Sequence, residues 1–223
     1  MKPMMKTRHL LLIFVPAIIV SGIAFFVRYL QYEPLYPEVS LEEPEKKEFQ
    51  IPLFPKDPVI GDKRAAVTVV AFEDFGCQGC KIQHDIFEEL FEEYPGRIKL
   101  VWKGLPITRF PYQSRQVHVY GYCANEQEKF TEFEKLALVN NYDLSLEVLQ
   151  TMIEQIEINQ KKFDECLVSP DAEVFIQKNE TLAKALDIQS VPTFFINNKQ
   201  VEAPSTKEGW VTLLGLRDQL NLQ

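Results

Sequence analysis

The spacing of apolar residues changes several times along this chain, and each change marks an element. Residues 10–27 form an 18-residue run without a charge, and Tyr29-Leu30 extend it past Arg28. That length is close to the lower limit for a helix that crosses a bilayer. Residues 67–72 are a short apolar run rich in β-branched side chains, the pattern of a strand covered on both faces. Beyond Cys77 the period becomes helical. Ile82, Ile86, Phe87, Leu90, Phe91 and Tyr94 share one face, with Lys81, Asp85, Glu88, Glu89, Glu92 and Glu93 opposite, until Pro95-Gly96 stops the helix. Residues 98–102 read as the next strand. From about 111 to 186 the pattern is helical throughout. Residues 193–196 and 199–201, joined by Asn197-Asn198, read as a hairpin, and a last helix is expected near 206–220. The predicted order is β-α-β, a helical block, then β-β-α.

Charge adds a direction. Of the 24 basic residues, Lys2, Lys6, Arg8 and Arg28 fall in 1–28, which holds no acid; the rest of the chain has 20 basic against 32 acidic residues. So acidic a body, with no basic stripe, has no general attraction for nucleic acid. Basic residues before the apolar run and acidic ones after it predict a cytoplasmic segment at 1–9, a transmembrane signal-anchor at 10–30 and a body outside the cytoplasm. The rival is a cleaved signal peptide ending near Gly22-Ile23-Ala24, but Phe25-Phe26-Val27 continue the apolar run beyond that site. Both readings place the body where disulfides persist. Residues 31–58 carry Pro34, Pro37, Pro44, Pro52, Pro55 and Pro58 among Glu and Lys, which predicts an extended tether. The alternative is that 49–54 packs along the domain. The folded body is expected over 59–223.

The candidate chemistry is Cys77-Gln78-Gly79-Cys80, placed where the first central strand gives way to a helix. Unpaired N–H groups at a helix start stabilise a thiolate, so Cys77 is the expected nucleophile and Cys80, one turn inside, the resolving thiol. Cys77, Cys80 and His84 could supply three metal ligands. No second Cys-x-x-Cys or His-x₃-His completes a zinc site, and Lys81 stands where haem attachment needs histidine. Redox use is therefore favoured, with no cofactor. A tethered binding module or metallochaperone is the other class of reading.

With Ser190-Val191-Pro192-Thr193 and Phe194-Phe195-Ile196-Asn197-Asn198 downstream, the stretch from about 59 to 216 resembles DsbA-like thiol–disulfide oxidoreductases of the bacterial cell envelope. The resemblance implies an α/β, thioredoxin-like fold with an inserted helical domain, here in addition to the transmembrane helix. It implies a cis Val191–Pro192 bond beside the redox pair, extended or unfolded exported proteins as substrates, and reoxidation by a membrane quinone-linked protein. It also implies a structural disulfide between Cys123 and Cys166, with two independently buried thiols as the alternative. Three features depart from the family. Gln78-Gly79 places neither proline nor histidine between the cysteines, which suggests a milder oxidant. Ala71 stands six residues before Cys77, where many relatives carry a buried acid. Glu73 and Asp74 could replace that acid but read as solvated strand-end charges, and His84 reads as a packed or solvated surface histidine.

Overall fold

The computed structural model describes residues 7–31 and 50–217. The chain divides into two units, Met1–Glu48 and Phe49–Gln223. In the first, the apolar run forms helix α1 (Thr7–Leu30), with Pro16 inside it and Phe14 onward exposed. Among the described residues no helix is long and apolar enough to cross a membrane. The transmembrane anchor expected at 10–30 therefore has no support from the structure.

The second unit is built on one mixed sheet of β1 (Val59–Gly61), β2 (Val67–Glu73), β3 (Ile98–Gly104), β4 (Thr193–Ile196) and β5 (Lys199–Val201), in the order β1-β3-β2-β4-β5. The fold is thioredoxin-like. β2 lies at the centre, parallel to β3 and antiparallel to β4, so its β-branched run is covered on both faces as its sequence requires. Val69, Ala71, Leu100 and Trp102 face one core, and Val70, Phe72, Val101 and Phe195 the other. Helix α2 (Gln78–Glu93) makes the crossover from β2 to β3. Asn197 and Asn198 both hold positive φ, 51° and 62°, the backbone a two-residue hairpin turn demands. Five helices stand between β3 and β4: α3 (Ser114–Asn125), α4 (Phe130–Val139), α5 (Leu146–Gln155), α6 (Gln160–Leu167) and α7 (Asp171–Ala185).

The structure corrects three expectations. The tether predicted over 31–58 lies outside the described residues from 32 to 49, but 50–58 belongs to the body. Ile51 is buried, and Lys103, a lysine with no exposed surface on β3, reaches back to the Pro52 carbonyl (2.8 Å) and to Asp57 (2.5 Å), its ammonium over the Phe54 ring. Such a clasp is invisible in a proline-rich composition, because its anchor sits 46 residues downstream. The buried face of α2 is also rotated from the expected one. Cys80, Gln83, His84, Phe87 and Leu90 face inward, while Ile82 is half exposed. Gln83 is tolerated there because it donates to the Pro204 carbonyl and accepts from the Trp210 indole. Finally, the last helix is short: α8 (Lys207–Leu213) ends before Gly215, whose φ of 63° suits a helix terminus; 218–220 of the expected helix lie outside the described residues.

Cys123 on α3 and Cys166 on α6 form a disulfide across 43 residues of sequence. Closing that loop removes denatured-state entropy worth about 4 kcal/mol. Replacing both cysteines with alanine is expected to lower the urea midpoint by a corresponding amount, with little change in the exchange rate of the Cys77–Cys80 pair in protein that remains folded.

Candidate active site

Four of the residues singled out in the sequence meet at the amino-terminal end of α2. Cys77 is the helix N-cap, in extended backbone, and its sulfur accepts the Cys80 N–H at 3.1 Å. Cys77 and Cys80 are joined as a disulfide. Cys77 is partly exposed, whereas Cys80 has no exposed surface. An incoming thiolate therefore reaches Cys77, and Cys80 becomes the leaving sulfur. The Cys77 sulfur lies 3.6 Å from the Val191 carbonyl oxygen, and the Val191–Pro192 bond is cis. Pro192 presses against the turn between the cysteines: a β-carbon on Gly79 would stand 3.2 Å from its Cδ. Gly79 thus permits the close approach of the two loops. Gln78 is held from the helical insertion, since Asn141 donates to its side-chain oxygen at 3.1 Å. The Asn141 carbonyl in turn accepts from the Tyr112 hydroxyl at 2.6 Å, whose pKa is pushed up to about 12 by burial, with the charges of Asp74 and Asp143 adding to it.

The two carboxylates before the redox turn are not solvated. Glu73 and Asp74 are both fully buried. Asp74 accepts from the Ile107 and Thr108 N–H groups (2.8 and 2.7 Å), from the Ser114 hydroxyl (2.9 Å) and from His118 (3.1 Å). Burial alone would raise its pKa. The hydrogen bond and Coulombic pull of His118, with the Thr108 N–H and the Ser114 hydroxyl, win and hold it well below the usual carboxylate range. One carboxylate thereby fastens the β3–α3 loop against the redox turn. A β-carbon at Gly76 would come within 2.7 Å of the Thr108 side chain, so glycine is needed for that contact.

His84 is also buried, not at the surface. Its Nε2 meets Glu73 at 2.7 Å and its Nδ1 meets Glu134 of α4 at 2.6 Å. Burial disfavours the charged imidazole, but Glu134 and Glu73 outweigh it and raise the His84 pKa well above the ordinary value. The carboxyl of Glu73 is raised by burial, an effect His84 only partly offsets. Sequence reasoning missed this cluster because Glu134 comes from the insertion. The available signal was period: Val69, Ala71 and Glu73 alternate along β2 and so share its inward face. Among the described residues, no group of three or more His, Cys, Asp or Glu is arranged to hold a metal ion.

A family model described as thioredoxin matches residues 54–215, almost the whole of the second unit. The chain belongs to the thioredoxin family. Its fold resembles that of a thioredoxin-like oxidoreductase from Silicibacter pomeroyi, with a TM-score of 0.65 at 18% identity over 74% of this chain and 94% of that one. It also resembles the thiol-disulfide exchange protein alpha-DsbA2 from Wolbachia pipientis, with a TM-score of 0.64 at 19% identity over 73% and 88%. Among curated proteins, a Na(+)/H(+) antiporter NhaA 3 of Salinispora tropica is 27% identical over 158 residues, which are 70% of this chain. The chain spans about a quarter of the length of that relative, so the similarity is to one part of a larger protein. The structural likenesses are of fold, shared with proteins described as a thioredoxin-like oxidoreductase and a thiol-disulfide exchange protein.

Proposed function

We propose that the protein exchanges disulfides with exported proteins outside the cytoplasm of a bacterium, oxidising them more than reducing them. The observation that carries this reading is the asymmetry of the pair. The attackable sulfur of Cys77 takes the Cys80 N–H at the helix N-cap, while Cys80 is sealed beneath it. That N–H and the helix start favour a Cys77 thiolate, and stabilising the reduced form makes a dithiol a better oxidant. An extended substrate would lie between Cys77 and the Val191–Pro192 loop, pairing with the Val191 backbone as an added strand does. The Cys123–Cys166 bridge supports an oxidising compartment. Location at the cell membrane, through 10–30, rests on the sequence run alone, and reoxidation by a quinone-linked membrane protein rests on the family resemblance.

The direction is tested by giving the oxidised protein a reduced, unfolded substrate and, separately, giving the reduced protein insulin. Faster disulfide formation in the first assay than disulfide loss in the second is expected. Insulin reduction with no oxidation of the unfolded substrate would reverse the direction.

A further inference from the structure

An extended strand carries hydrogen-bonding groups along both of its edges. A substrate strand that pairs one edge with the Val191 backbone therefore reaches Cys77 with its other edge unpaired, and that edge faces away from the cis-proline loop. The redox turn touches two different elements. Cys77 and Gly79 lie against the cis-proline loop: the Val191 carbonyl oxygen is 3.6 Å from the Cys77 sulfur, and Pro192 Cδ would stand 3.2 Å from a β-carbon on Gly79. Gln78 instead reaches the connection between α4 and α5, a part of the helical insertion.

Gln78 is held there by one atom. Its side-chain oxygen accepts from Asn141 Nδ2 at 3.1 Å, and Asn141 is buried, so this end of the carboxamide faces the protein. Gln78 is itself exposed, and its Nε2 has no acceptor among the described residues. Fixing the oxygen of a planar carboxamide leaves its two N–H donors at the surface, one residue from the attackable sulfur. Asn141 is fixed in turn. Its carbonyl accepts the Tyr112 hydroxyl at 2.6 Å, and the neighbouring Leu144 is buried. A glutamine side chain tied in this way gives up its freedom before substrate arrives, so less is lost on binding.

We propose that Gln78 is a substrate-binding residue whose Nε2 donates to a backbone carbonyl on the second edge of the substrate strand, with Asn141 and Tyr112 as the positioning residues that aim it. The substrate is then an extended polypeptide gripped from both edges through its main chain, and a small thiol is exchanged without this contact. The contact presupposes the redox reading above.

The test compares two reductants of the oxidised protein: dithiothreitol, which has no peptide backbone, and a capped, unstructured peptide carrying two cysteines. The rate with the peptide divided by the rate with dithiothreitol cancels any change in the sulfur pair itself. Losing one net hydrogen bond in Gln78→Leu is expected to lower this ratio about 5-fold, through a higher half-saturating peptide concentration. Gln78→Glu keeps the acceptor for Asn141 and loses the donor, so its ratio should fall as far. Asn141→Ala leaves Gln78 in place but untethered, and a fall of about 3-fold is expected. An unchanged ratio in Gln78→Leu, or a Gln78→Glu protein that matches the wild type, would overturn the proposal and leave Gln78 a strut between the redox turn and the insertion. A wild-type ratio in Asn141→Ala would overturn the positioning role. Gln78 is exposed and its replacement spares the core, so the Gln78 variants decide even where Asn141→Ala does not fold. A wild-type disulfide that neither reductant opens would instead remove the redox reading itself.

Discussion

Replacing Cys77 with serine is expected to bring disulfide exchange down to the uncatalysed background, a loss of at least about 10³-fold, without unfolding the protein. The reason lies in the geometry of the pair. Cys77 is the exposed partner, it caps α2, and its sulfur faces the Val191 carbonyl, where a substrate backbone would align. Serine keeps the cap and loses the nucleophile. Cys80→Ser behaves differently. The Cys77 thiolate is still formed and still attacks, but no second thiol breaks the adduct, so mixed disulfides with substrate accumulate. Non-reducing electrophoresis followed by mass spectrometry should find adducts on Cys77 alone in Cys80→Ser, and none on the domain in Cys77→Ser. Adducts through Cys80 in the Cys77→Ser protein would mean that the roles are reversed.

The second large effect concerns stability. Asp74→Ala removes the acceptor of four strong hydrogen bonds and strands the Ile107 and Thr108 N–H groups, the Ser114 hydroxyl and His118 in the interior. Losing a buried, hydrogen-bonded charge of this kind costs about 5 kcal/mol. The β3–α3 loop should loosen next to the redox turn, since Thr108 packs on Gly76. The effect also has a pH signature. The Asp74 pKa is lower in the folded protein than in the unfolded chain, so below about pH 4 the unfolded state binds the extra proton. The stabilisation from Asp74 is therefore complete above that range and is lost as pH falls through it toward the folded pKa. Urea midpoints measured between pH 7 and pH 3 should fall more steeply for the wild type than for Asp74→Ala. Parallel curves would show that the carboxylate is not held in its ionised form as described.

Much of the site was legible in the sequence because it depends on local rules. A Cys-x-x-Cys after an apolar β-branched run places a thiol at a helix start, and Asn197-Asn198 between two short β-rich segments gives a tight hairpin. The Val191-Pro192 contact with Cys77 came from resemblance, since nothing local ties residues 114 apart. The supporting shell was hidden for the same reason. Glu73 and Asp74 look like ordinary strand-end charges until Glu134, Ser114 and His118 arrive from the helical block to pair with them directly or through His84. Burial of His84 depends on two carboxylates from different elements, and Lys103 is tolerated inside only because Asp57 and Phe54 fold back over it. Polar residues buried through distant partners leave no periodic trace, so an amphipathic pattern assigned them to solvent. Ile82 shows the converse: a helical wheel turned it inward, but the polar partnerships of Gln83 and His84 rotated the buried face away from it.

Everything functional rests on Cys77–Cys80 being a reversible two-electron couple while Cys123–Cys166 stays closed. The direct measurement is a redox titration against glutathione with alkylation of free thiols and mass spectrometry of each cysteine. The expected result is a single transition confined to Cys77 and Cys80, with a midpoint above about −270 mV, in the range of exchange catalysts. A Cys77–Cys80 midpoint below about −300 mV, typical of structural disulfides, or opening of Cys123–Cys166 at the same potential, would contradict it.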